Sequence, residues 1–118
     1  MTSEQIQQDL KQDLVRVKDL NERKYGYFTD NFYLLKTALR YFTVRQSRPI
    51  TSSKLSDNFP MTAPIAGSCL DVMDKLDILE KRSKSNSPDL YMPEKADLER
   101  MTDIEKVLKQ NYEIEEFY

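Results

Sequence analysis

Histidine is absent from this 118-residue chain and cysteine occurs once, at Cys69. The first absence removes the commonest metal ligand and general base; the second rules out an internal disulfide. Together they argue against zinc binding and against serine- or cysteine-protease-type catalysis. Carboxylates are plentiful, but none stands near a histidine, a cysteine motif or a glycine-rich phosphate loop, so no enzymatic activity, metal or cofactor is expected. Glycine and proline are scarce as well, at 2 and 5 residues, too few for an all-β fold with many tight turns. No apolar run approaches membrane-spanning length, and the polar, acidic opening MTSEQIQQDLKQDL is unlike a secretory signal. A soluble, cytoplasmic protein with no membrane partner is expected.

What is present suits one modest domain. At 118 residues and 39% hydrophobic, the chain can bury a single core. The formal net charge is −2, yet its distribution is uneven. Arg40, Arg45, Arg48 and Lys54 follow one another with no intervening acid, and Lys81, Arg82 and Lys84 form a second basic cluster, whereas Glu113, Glu115 and Glu116 make the end acidic. Such a distribution suits one face for phosphate and another for a different partner, or an ordinary solvated surface.

Hydrophobic periodicity predicts the elements. Ile6, Leu10, Leu14 and Val17 recur at helical spacing, with Thr2 or Ser3 as cap and Gly26 as C-terminal stop. The aromatic patch of Tyr25, Tyr27, Phe28, Phe32 and Tyr33 could in principle stack on bases. The stripe Phe32, Leu35, Ala38, Leu39 and Phe42, capped by Thr29 or Asp30, instead marks these rings as helix packing. Arg48-Pro49-Ile50 reads as a short extended piece after a helix that ends at Val44 to Gln46. Thr51 then caps a short helix with Leu55 inward, stopped by Asn58-Phe59-Pro60-Met61. Thr62 caps the next, whose Pro64 falls in the first turn and whose buried side is Ile65, Cys69, Val72, Met73 and Leu76. Cys69 has no activating partner in the pattern and reads as a small core residue. Asp77 ends that helix as a residue tolerant of the left-handed conformation, and the apolar pair Ile78-Leu79 leads into a strand. A polar, turn-rich stretch and Leu90-Tyr91-Met92 complete a hairpin with a basic tip. From Glu94, the residues Leu98, Met101, Ile104, Val107 and Leu108 mark a final amphipathic helix. The expected organisation is an N-terminal helix over 1–26, a central domain over 27–93, and a C-terminal helix and acidic tail over 94–118.

Helix, short strand, short helix, turn, helix and β-hairpin is the order of winged helix-turn-helix domains, and residues 31–93 resemble that family of prokaryotic transcription regulators. The resemblance is carried by RPITSSKLSDNF, by LDVMDKLDILEKR and by the wing SKSNSPDLYMP. Asp77 stands where family members commonly have glycine. The fold class implied is mainly α with a small β-hairpin, a winged helix-turn-helix core with added N- and C-terminal helices. In the family the third helix enters the major groove and the wing touches phosphate or the minor groove. The resemblance therefore implies exposed positions at Thr62, Ala63, Gly67, Ser68 and Asp71. They include no arginine, lysine, asparagine or glutamine, and Asp71 would repel phosphate unless it faced a cytosine amino group. Phosphate contacts are expected from Arg45, Arg48, Ser52, Ser53 and Lys54 on one side and from Lys81, Arg82, Lys84 and Ser85 on the wing, giving salt-sensitive binding. Gly67 suits either close approach to DNA or close helix packing.

The resemblance also implies a homodimer, with the terminal helices joining two copies on successive half-sites. Ile6, Leu10, Leu14, Val17, Leu98, Met101, Ile104 and Leu108 are the expected interface or helix-packing residues, and the same residues could complete a monomer's core. Two functions are weighed: a sequence-specific, double-stranded DNA-binding transcription regulator, and a winged-helix adaptor that captures a protein partner through Asp71, Asp74 or the acidic tail.

Overall fold

A computed structural model describes residues 3–45, 49–82, 90–92 and 96–110, with the side chains of Ser3 and Arg45 excepted. Among the described residues the chain is mainly helical: α1 (Ser3–Leu20), α2 (Glu22–Asp30), α3 (Phe32–Arg45), α4 (Ser52–Asn58), α5 (Ala63–Lys75) and α6 (Leu98–Gln110). One antiparallel sheet joins β1 (Lys81–Arg82) to β2 (Leu90–Tyr91), with Lys81 opposite Tyr91 and Arg82 opposite Leu90. Among the described residues no helix is long and apolar enough to cross a membrane.

The local stop and start signals act largely where the sequence puts them. The Thr51 hydroxyl accepts the Lys54 N–H at 3.1 Å, and the Thr62 hydroxyl accepts that of Ile65 at a longer 3.4 Å. Each hydroxyl satisfies a donor that lacks a partner in the first helical turn. Pro64 lies in that first turn of α5, where its missing N–H removes no intrahelical bond. Asp77 has φ = 60°, the one non-glycine residue with positive φ among the described residues. The turn around it is closed by bonds from the Ile78 and Leu79 N–H groups to the Met73 carbonyl.

Two expectations at the N-terminal end are corrected. Helix α1 stops at Leu20 rather than at Gly26, because Asn21 leaves the helical conformation and its side chain accepts the Lys24 N–H at 3.0 Å, starting α2. Gly26 is therefore interior to α2 and has no positive φ. Thr29 and Asp30 do not cap the aromatic helix either: both lie in α2, and Thr29 donates its hydroxyl to the Gly26 carbonyl. The break falls at Asn31, whose side-chain amide and backbone N–H both bond to the Tyr27 carbonyl. At the other end, α6 begins at Leu98 rather than Glu94, with Asp97 accepting the Arg100 N–H at 2.9 Å. Thr2 and Glu94 lie outside the described residues.

A mid-helix glycine costs stability against alanine through lost backbone entropy. A Cβ added at Gly26 meets nothing within 4 Å. Gly26→Ala is expected to stabilise the protein by roughly 0.5–1 kcal/mol, read as a higher urea midpoint with an unchanged slope.

The core forms where α2 packs on α5, α5 on α4, and α6 on both α1 and α3. Phe28 and Phe32 are 0% and 1% exposed and meet edge to face at 5.5 Å, so the aromatic patch is helix packing. Rings buried in this way contribute about 1.5–3 kcal/mol each. The α1 stripe finds its cover in the same chain. Leu10, Leu14 and Val17, with Met101, Ile104 and Leu108 from α6, are all at most 4% exposed, and Leu98 is packed partly against them. The expected seam between copies is thus interior, because α6 returns across α1 and closes its apolar side. Ile6 alone of that set stays open, at 37% exposed.

Candidate nucleic-acid interface

Helices α4 and α5 form the frame of the site. They pack closely through Gly67, where an added Cβ would lie 3.7 Å from the Ser52 Cβ. That is an ordinary van der Waals distance, so Gly67 is a snug helix contact with room for one methyl group. Ser52 and Ser68 are accordingly half-buried, while Ser53, Thr62 and Ala63 are exposed at the N-terminal ends of the two helices.

A short ladder ties the basic strand to this frame. Ile50, immediately before the Thr51 cap, exchanges both backbone bonds with Tyr91, at 2.7 and 2.9 Å. Tyr91 in turn pairs with Lys81. Two strand spacings, about 10 Å, therefore separate the start of α4 from β1, which carries half-buried Lys81 and exposed Arg82. The sequence bears the ladder only as Arg48-Pro49-Ile50 read as extended; that Ile50 pairs with Tyr91 rather than with β1 required the fold.

The acidic side of α5 is drawn into the structure. Asp71, expected to be exposed, has 17% side-chain exposure and pairs with Lys24 of α2 at 3.0 Å and with Lys75 at 2.6 Å. Burial raises its pKa, but the hydrogen bonds from Lys75 and Lys24 outweigh that effect and hold the carboxyl below its ordinary value. Asp74 accepts the Lys81 N–H at 3.2 Å, fastening β1 to the helix that precedes it. Asp77 supplies the left-handed turn between them.

The basic set separates in the structure. Lys54 directs its ammonium to the Pro49 carbonyl at 2.6 Å, bracing its own loop. Of Arg45 only its place as the last residue of α3 is described, and Arg48, Lys84 and Ser85 lie outside the described residues. The fold thus brings Ser52 and Gly67 together and places Lys81 and Arg82 beside them through the sheet. Cys69 is fully buried, and burial, with a smaller contribution from Asp30, pushes its thiol up to about 12. It stays a neutral core group at physiological pH.

Sequence reasoning missed a second buried ion cluster. Glu105, 8% exposed, is bonded to Lys36 of α3 and paired with Lys109 at 3.3 Å. Arg100 links three elements by donating to Asp13 of α1 at 2.9 Å and to the Leu76 carbonyl at the end of α5. The Glu105–Lys109 spacing of four was visible as an i,i+4 helix pair; the long-range partners left no local trace. The chain matches no known protein family, no curated protein and no solved structure.

Proposed function

We propose that the central part of the chain is a winged helix-turn-helix unit and that the protein binds double-stranded DNA through it as a transcription regulator. In this reading α5 enters the major groove by its N-terminal end, where Thr62 and Ala63 are exposed. Lys81 and Arg82 then meet the flanking phosphates. The observation that carries the reading is the fate of Asp71 and Asp74 in LDVMDKLD. Left in solvent on α5 they would repel DNA. Instead Asp71 is neutralised by two lysines and half-buried Asp74 accepts the Lys81 amide N–H, while Asp77, exposed, makes the turn that follows. The same observation weighs against an adaptor that meets its partner through Asp71 or Asp74; the acidic tail, the adaptor's other expected contact, lies outside the described residues.

Two copies are expected on an inverted repeat, one per half-site, paired by the operator because most of the apolar stripe on α1 and α6 is buried within each chain. The test is selection of bound sequences from random duplex DNA at low and moderate salt. Enriched inverted repeats support the regulator; no enrichment at either salt concentration sinks it. Gly67→Ala adds a local check. It is expected to keep the protein folded, and a selective loss of duplex affinity would assign this glycine to close DNA approach rather than to helix packing.

A further inference from the structure

One side of α1 is incompletely covered. Val15 and Leu20 are 57% and 61% exposed. With Leu14, Tyr25, Val107 and Leu108 they line one open groove of about 790 Å³. Lys11 and Arg16 stand on its rim against a single carboxylate, Asp19. Arg16 also bonds to Asp13 and to the Lys75 carbonyl, which leaves Lys11 as the cation given over to the groove's mouth. Lys11 and Val107 continue into a smaller cavity that Gln110 closes, and Gln110 is the last residue of α6.

We propose that residues 111–118 of the same chain seat in this groove and cover it as an intramolecular strap. The sequence continues from Gln110 at the groove's own end as NYEIEEFY, which supplies apolar Tyr112, Ile114, Phe117 and Tyr118 and acidic Glu113, Glu115 and Glu116. The apolar residues match the groove wall and the acids match Lys11. Length suffices: eight extended residues reach about 26 Å, whereas α1 from Lys11 to Leu20 rises about 13 Å. A short tether starting at the groove gives the segment a high effective concentration there, in the millimolar range or above, which favours it over a second copy at ordinary protein concentrations. This proposal does not depend on DNA binding, and its test involves no DNA.

The protein has no tryptophan, so Phe117→Trp in the full chain places one reporter in the segment. Its emission is expected to lie blue of the water-exposed maximum and to be independent of protein concentration. Adding Val15→Asp and Leu20→Asp, at side chains already more than half exposed, returns the emission to the water-exposed value while the helical circular dichroism is kept. Lys11→Glu, which leaves the apolar wall intact, moves it part of the way. A water-exposed emission in the Phe117→Trp protein, or a blue shift that survives all the groove variants, overturns the strap. So does a blue shift that grows with concentration, which would give the groove to a second copy.

Discussion

Lys81→Ala combined with Arg82→Ala weakens duplex binding by about 60-fold at roughly 0.1 M salt if both side chains contact phosphate. The estimate follows from counterion release. Each phosphate contact adds about 0.9 to the slope of log affinity against log salt, which at 0.1 M is about eightfold per contact. The double variant therefore also flattens the salt dependence, lowering the slope by roughly 1.8, and does so alike on specific and random duplexes because phosphate carries no sequence information. Stability is expected to change little. Arg82 is exposed, and the bond that fastens β1 to α5 uses the Lys81 backbone N–H, which alanine retains. Fluorescence anisotropy across a salt series measures both quantities. An unchanged slope in the double variant would remove β1 from the interface.

Lys36→Met has the largest effect expected on stability. Lys36 and Glu105 keep only 20% and 11% side-chain exposure, and they join α3 to α6. Removing the lysine leaves a mostly buried carboxylate with Lys109 alone, itself 37% exposed. Breaking one side of a buried pair costs about 3–5 kcal/mol, and the residual exposure and second lysine bring the expected loss here to about 2–4 kcal/mol. Adding Glu105→Leu to Lys36→Met is expected to restore most of it, since two apolar side chains of similar volume avoid the desolvation that the ions suffer. Urea unfolding of the single and double variants gives the coupling directly. A double variant no more stable than Lys36→Met would show that packing, rather than the orphaned charge, sets the loss.

The same cluster sets an acid limit on the fold. Burial raises the Glu105 pKa, but bonding to Lys36 and Lys109 outweighs it and the carboxyl is held below its ordinary range. Asp71 behaves likewise through Lys75 and Lys24. For a group whose pKa is lowered by folding, the stabilisation is complete above its unfolded pKa and is lost as pH falls through the folded one. Stability is therefore expected to fall steadily below the ordinary carboxylate range, and Glu105→Gln is expected to flatten that fall. Denaturant midpoints measured through the acid range check the sign.

Much of the architecture was legible in the sequence because the forces that set it act over three or four residues. The caps at Thr51 and Thr62, the stop at Asn58 and the left-handed turn at Asp77 each satisfy a backbone group a few positions away. The apolar spacing of α5 and α6 named the buried residues for the same reason. Gly26 misled because a glycine is read as a stop only when nothing nearer ends the helix, and Asn21 already does so.

The candidate interface was legible as residue types but not as an arrangement. Whether Asp71 faces solvent or lysine depends on Lys24, which is 47 positions away, and the fate of Glu105 depends on Lys36, 69 positions away. The stripe on α1 was plainly apolar, yet whether it met a second copy or its own chain turned on where α6 came to rest. Sequence by itself determined which residues are apolar and most of where the helices and turns lie, though not the breaks at Asn21 and Asn31, because those properties arise from a residue and its near neighbours. Only the tertiary structure decided which charges are spent inside the fold and which apolar face stays open, because both follow from contacts between elements far apart in the chain.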